Sequence, residues 1–284
     1  MPTWLAVAEP LTFALSTLAL VVEFLVLRGV SRRSGLVSVL SGIGAFGGLA
    51  LANRLGLLLL MDAFHALAPV DLGYTAWAWL TGFVAYDAMF YVSHRLGHRV
   101  RLLWCFHSVH HTTEEMRLTS AVRGSVFDVV YLPWFFVWIP LLGVPPVLML
   151  AIEATSRLWG VATHVSPQWV GRLGALDRWL VTPSVHRVHH GRNLPYLDRN
   201  YGEVLLVWDH LFGTHQPEHE APDYGVLADV DSESFVDVQL SPWRDLWADL
   251  RRAPDWASRL RYLLDAPGWK HDGPDARVST LQRG

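Results

Sequence analysis

Up to about residue 160 charges are sparse, and the apolar residues gather into runs too long for an ordinary soluble core. Three of them, Leu5–Leu27, Leu36–Met61 and Leu72–Val92, reach the roughly 20 residues that cross a bilayer core. Two shorter runs, Val126–Leu142 and Val144–Val161, flank Gly143, Pro145 and Pro146 and read as a hairpin, shallow or fully crossing. Buried helices of a large soluble domain are the competing reading. Such helices are shorter and more amphipathic than these. The N-terminus carries Glu9 and Pro10 rather than positive charge, so the first run is expected to be a retained span and not a cleaved signal.

Positive charge gives the expected orientation. Arg28, Arg32 and Arg33 follow the first run, Arg95, Arg99 and Arg101 the third, and Arg157 and Arg172 accompany the fifth. The loop Asp62–Gly73 has no Lys or Arg. Lys and Arg collect on the cytoplasmic side, which places the ends of runs one, three and five there. Within or beside the runs, Glu23, Asn53, Arg54 and Asp87 each need a reason to sit near lipid. For Glu23 and Arg54 the expected reason is an interfacial position or an interhelical pair. Gly44 and Gly48 have the small-xxx-small spacing that lets helices approach closely.

Composition narrows the function classes. A hydrophobic content of 51% rules out a disordered chain. The single cysteine, Cys105, removes both a disulfide framework and a cysteine-based zinc site. A net charge of −3 offers no basic field, so no nucleic-acid partner is expected.

Fourteen histidines remain to be explained, and nine have meaningful spacing. His94 and His98 are four apart. His107, His110 and His111 form H-x-x-H-H, His186, His189 and His190 form it again, and His164 stands alone between them. Residues i, i+3 and i+4 share one helix face, so each group can aim two or three imidazoles at one point. Neutral imidazole suits iron, zinc, copper and nickel, and nine are too many for one metal but fit two. The hairpin returns the chain to the cytoplasmic side before His164, so topology lets all groups converge. His65, His210, His215, His219 and His271 fit no ligand pattern. No Glu has a His three residues on, and H-E-x-x-H and G-x-S-x-G are absent, which removes the soluble di-iron, zinc-protease and ordinary serine-hydrolase readings.

These elements are spaced in a specific way. Asp87 precedes His94-Arg95-x2-His98, and Leu103-Trp104-x-Phe106-His107-x2-His110-His111 follows. After His164 come Val181-Thr182-Pro183-x2-His186-Arg187-Val188-His189-His190, Asn200-Tyr201-Gly202 and Trp208-Asp209-x-Leu211-Phe212-Gly213-Thr214. From about Thr81 to Thr214 the chain resembles the fatty acid hydroxylase / sterol desaturase superfamily of membrane di-iron oxygenases. The resemblance implies two iron ions held by the nine histidines, O2 as co-substrate, and oxidation of a C–H bond in a lipid (a fatty acyl, sterol or related chain). It implies either hydroxylation or desaturation at the same site. It also implies an electron donor of the ferredoxin, cytochrome b5 or reductase type, since no such domain is fused here. A non-redox zinc-dependent membrane protein is the alternative from another class, because imidazole suits zinc equally. Related enzymes often carry Asn or His four residues before the lone histidine. Here that residue is Gly160, which leaves a nine-histidine site or one completed by water.

Nine neutral ligands leave the charge of two irons uncompensated, so nearby carboxylates should offset it and fix imidazole tautomers. Asp87 is the first candidate, because 87, 91, 94 and 98 share a helix face, followed by Asp209 and Asn200. The expected whole is all-α: a multi-spanning, multi-pass membrane protein whose cytoplasmic helical cap holds the dimetal site. Residues 1–80 would be membrane spans, and 81–216 the catalytic domain including the hairpin 126–161. Residues 217–284 would be a charged extension with amphipathic helices, starting at Ser241 and Pro242 as N-cap and first helical residue, and a disordered tail.

Overall fold

The computed structural model describes residues 18, 21–23, 25–26, 30–52 and 56–283. Most of the first expected span, together with Asn53 and Arg54, lies outside the described residues. Among those described there is no strand, only the isolated bridges Leu180–Leu205 and Gly191–Tyr224, so the helical expectation holds.

Ten helices follow in chain order among the described residues: α1 Arg32–Ala52, α2 Leu58–Ala66, α3 Ala76–Arg99, α4 Arg101–His111, α5 Pro146–Thr163, α6 Pro183–His189, α7 Val207–Leu211, α8 Phe235–Arg252, α9 Trp256–Leu264 and α10 Val278–Leu281. Of these, α1 alone is both long and apolar enough to cross a membrane. The 24 residues of α3 are long enough, but its last turns carry His94, Arg95, His98 and Arg99.

The run 126–142 departs from expectation. It forms three short 3-10 turns, 128–130, 132–135 and 139–142, instead of a helix. Pro133 and Pro140 each open such a turn. A proline has no N–H and clashes with the carbonyl four residues back, so a continuous α-helix through both positions is blocked. The Gly44/Gly48 spacing does find a partner, but the partner is this irregular segment. A β-carbon at Gly44 would meet Val126 Cγ1 at 2.4 Å, and one at Gly48 would meet Val129 Cγ1 at 3.3 Å.

α3 starts cleanly, because the Thr75 hydroxyl accepts the Ala78 N–H at 3.2 Å. It stops at Val100, which is extended, and α4 begins at the next residue. The chain therefore doubles back and lays α4 along the end of α3. Gly97 permits the closeness, since a β-carbon there would sit 3.2 Å from His107 Cβ. Below this turn one apolar core joins α2, α3, 137–144 and α5 through Met61, Tyr86, Ile139, Val144, Leu148 and Ile152.

Two ends can be told apart. At one, Ser31 N–H donates to Glu115 Oε1 at 2.6 Å and Arg117 Nη2 donates to the Ser31 carbonyl at 2.7 Å. At the other, the loop before α3 meets the turn before α5, where Leu72 N–H donates to the Gly143 carbonyl at 2.9 Å. Among the described residues, the hydrogen bonds of Glu23 are to backbone rather than to a charged side chain. Glu23 is buried and accepts the backbone N–H groups of Leu118 (2.6 Å) and Thr119 (3.0 Å).

The C-terminal extension packs on the outer side of α4. Cys105 and Leu102 meet Trp243, Leu246 and Leu250 of α8, Tyr262 and Leu263 of α9, and Trp269. α8 begins earlier than expected, with Ser234 capping Asp237 N–H, and Pro242 lies inside the helix. The tail expected to be disordered contains α10, and Gln282 Nε2 donates to the carbonyls of Leu194 and Leu197.

Candidate metal centre

The structure brings all nine spaced histidines together, in two groups. His94, His98, His107, His111 and His189 form one; His110, His164, His186 and His190 form the other. Within each group the candidate ligand atoms lie within 4.8 Å of one another. Each H-x-x-H-H triplet is divided between the groups instead of serving one. α4 sends His107 and His111 to the five-imidazole group and His110 to the four-imidazole group. α6 sends His189 to the first and His186 and His190 to the second.

The hydrogen bonds on the far side of the rings identify which nitrogen is free. His94 Nδ1 lies 2.8 Å from the Tyr201 carbonyl, His110 Nδ1 3.0 Å from that of Arg123, His164 Nδ1 2.7 Å from that of Gly160, and His189 Nδ1 2.9 Å from that of Arg199. A carbonyl only accepts, so each of these Nδ1 atoms carries the proton and each Nε2 presents a lone pair. His110 Nε2 and His164 Nε2 then face each other at 3.2 Å as two lone pairs. Such a pair repels unless a cation stands between or beside the rings. Similar Nε2 contacts of 3.0–3.1 Å link His111 to His98, His107 and His189, and His186 to His164 and His190. His94 Nε2, His186 Nδ1 and His190 Nδ1 are buried with no partner. The donor set fits metal ions on both counts.

Burial keeps the rings neutral, as ligation requires. Desolvation lowers His110 to about 4 and His164 to about 3. It also holds His94, His107, His111, His186, His189 and His190 well below the usual imidazole range, with neighbouring rings adding to the effect.

Asp87, Asn200 and Asp209 are fully buried, and their hydrogen bonds go to backbone, Trp208 and Thr214 rather than to the nine rings. Asp87 accepts Val204 N–H (3.0 Å), Leu205 N–H (3.3 Å) and Trp208 Nε1–H (2.8 Å). Asp209 accepts Tyr201 N–H and Gly202 N–H, both at 2.8 Å, and the Thr214 hydroxyl at 2.6 Å; burial raises its pKa. Together they clamp the strap 201–208, and the Tyr201 carbonyl on that strap orients His94. Asn200 adopts φ +56, a left-handed conformation that Asn tolerates better than most residues. Its side chain bonds the Val185 carbonyl of α6 and the backbone of Gln216.

Three further residues beside the rings escaped sequence reasoning. Asp198, also left-handed, places Oδ1 3.5 Å from His98 Nδ1. Glu203 is buried beside Gly160, and desolvation pushes its carboxyl up to about 8. Arg123, fully buried, presents its carbonyl to His110 while its guanidinium bonds Ser34, Ser38, Thr112 and Ser232. None of the three has a periodic spacing that could have flagged it. The five remaining histidines stay outside both groups: His65 faces Asp71, His210 bonds the Arg178 carbonyl beside His215, His219 donates its backbone N–H to the Tyr196 hydroxyl, and His271 bonds Tyr262.

Residues 79–214 match the family model for fatty acid hydroxylase. Alkylglycerol monooxygenase of Homo sapiens is 32% identical over 203 residues, covering 72% of this chain and 45% of the relative. The ornithine lipid hydroxylase OlsE of Rhizobium tropici is 32% identical over 157 residues, covering 52% of this chain and 45% of the relative. The Xenopus tropicalis alkylglycerol monooxygenase is 34% identical over 193 residues, 68% of this chain and 43% of the relative. The chain thus spans less than half the length of these curated relatives. No solved structure matches. Residues 79–214 thus form a fatty acid hydroxylase segment within the chain.

Proposed function

We propose that this protein is an oxidoreductase that hydroxylates a lipid, a monooxygenase with two iron ions held by His94, His98, His107, His111 and His189 on one side and His110, His164, His186 and His190 on the other. The observation that carries the reading is the pairing of Nδ1-to-carbonyl bonds with facing Nε2 lone pairs in a nine-imidazole cluster, within a fatty acid hydroxylase segment. The names of the relatives, alkylglycerol monooxygenase and ornithine lipid hydroxylase, favour hydroxylation over desaturation and a polar lipid as substrate.

The overall reaction converts C–H to C–OH, with O2 taking two electrons and two protons and leaving one water. Iron, when bound, supplies the activation of O2. The chain's own residues fix the rings, keep them neutral and exclude bulk water from the cluster. Asp87, Asn200 and Asp209 act as positioning residues, through the strap and the end of α6. Electrons come from a separate donor of the ferredoxin, cytochrome b5 or reductase type.

Membrane insertion agrees with the surface. α1 exposes Leu36, Ile43, Phe46 and Leu51, and α3 exposes Trp77, Leu80 and Val84, large apolar side chains that lipid would cover. In the multi-pass arrangement we infer, the histidine end faces the cytoplasm, because Arg95, Arg99 and Arg101 gather there. The test uses the full chain in lipid nanodiscs, loaded with iron and given a chemical reductant and lipid extract. O2 uptake with an 18O-labelled hydroxyl in the product is expected. Two zinc ions per chain, with no O2 uptake after iron loading, would favour the non-redox zinc alternative and defeat the proposal.

A further inference from the structure

The two groups are unequal, and the shortfall has a location. Five imidazoles form one group and four the other, and the smaller includes His164 on α5. Gly160 lies one turn before His164, so a side chain at 160 would project on the same face as that imidazole. The space is filled from elsewhere. A β-carbon built on Gly160 would meet Glu203 Oε1 at 3.2 Å and Glu203 Cγ at 4.0 Å, and nothing else within 4 Å.

Glu203 is not there by default. Its exposure is 7%, and Oε2 is buried with no hydrogen-bond partner. The nearby cation, Arg157, is turned to Glu153, whose Oε1 accepts from both Nε and Nη2 at 2.8 Å. Backbone clamps stand on both sides: Gly202 N–H is held by Asp209 and Val204 N–H by Asp87. A buried carboxylate without a partner is costly unless a cation faces it. Nine neutral imidazoles around two metal ions lack an anion, and this carboxylate is held on the face where one is missing.

We propose that Glu203 supplies the compensating anion of the four-imidazole centre, from the place beside His164 that Gly160 leaves open. The proposal rests on reading the nine histidines as a two-metal site. The carboxylate lies outside the 4.8 Å that groups the four imidazoles, and it acts on this centre across Gly160 from the strap between α6 and α7 instead of from α5. It lowers the net charge of this centre by one and makes it chemically distinct from its five-imidazole neighbour.

The experiment is Co(II) titration of the full-length metal-free protein in detergent, read by visible absorption and by metal content after gel filtration. Wild type is expected to bind two ions. Glu203→Gln keeps the shape and removes the charge, and is expected to bind one ion as wild type does and the second 10- to 100-fold more weakly. Its second-ion absorption bands should also shift. The double variant Gly160→Asp with Glu203→Gly moves the carboxylate from the strap to the helix, and is expected to recover the second ion relative to Glu203→Gly alone. Two ions of wild-type affinity and unchanged spectrum in Glu203→Gln would overturn the proposal. So would a double variant no better than Glu203→Gly, which decides the matter even if Glu203→Gln folds poorly. A wild type that binds no metal would instead refute the two-metal reading itself.

Discussion

Replacing Asp209 by Asn tests whether the strap positions the five-imidazole group. The carboxylate holds three buried donors: Oδ1 accepts Tyr201 N–H and the Thr214 hydroxyl, and Oδ2 accepts Gly202 N–H. Asparagine keeps one acceptor oxygen and puts an amide N–H2 where Oδ2 was, so a donor faces Gly202 N–H. Losing one charge-assisted bond costs about 1.5–3 kcal/mol, and leaving a buried N–H unpaired adds about 1–3 kcal/mol. Burial raises the pKa of Asp209, so the charge was held against a desolvation cost that its removal partly returns. A net loss of about 3 kcal/mol is expected, or a Tm lower by roughly 5–10 °C for a chain this size. The strap carries the Tyr201 carbonyl that fixes His94, so the first metal should bind about 10- to 100-fold more weakly. Differential scanning fluorimetry and metal analysis of the detergent-purified variant read the two effects. Wild-type values for both would refute the claim that Asp209 acts through the strap.

Other expectations follow from the same geometry. His110→Ala and His189→Ala each remove a ring from a different group, so lipid oxidation should vanish in both while membrane fractionation stays normal; His219→Ala should leave turnover unchanged. The metal-free protein should lose stability in acid. His110 and His164 sit at about 4 and about 3 when folded, against about 6.5 unfolded. Their contribution is complete above pH 6.5 and declines as pH falls below it, by about 3 kcal/mol for the pair between pH 7.5 and 5.5; denaturation at the two pH values would detect this, and a flat profile would contradict neutral burial. Gly143 has φ +87, and a β-carbon there would lie 2.2 Å from the Val70 carbonyl oxygen, so Gly143→Ala should destabilise by about 3 kcal/mol, measurable as a lower Tm.

Spacing carried the histidines a long way. The i, i+3, i+4 pattern puts each triplet on one helix face whatever surrounds it, so His107, His110 and His111 could be grouped without coordinates. Their division between two groups could not, because it depends on how α4 and α6 are rotated about their axes by packing. The 126–142 run shows the same boundary from another side. Its hydropathy announced burial, but Pro133 and Pro140 decided the backbone, and hydropathy does not register a missing N–H. Glu23 and Arg123 read as isolated charges in sequence, and their partners are backbone groups and hydroxyls distant along the chain. Loop carboxylates such as Asp198 and Glu203 have no period to betray them; only the close approach of chain segments gives them meaning.

Arg123 makes the boundaries of the homologous segment a poor guide to what folds. Four of the five hydrogen bonds its guanidinium makes go to Ser34, Ser38 and Ser232, outside residues 79–214. A fragment cut to that segment would strand a buried guanidinium directly behind His110. The homologous segment therefore cannot be transplanted as a cassette, and a folded chimera has to inherit α1 and the residues leading into α8 along with it.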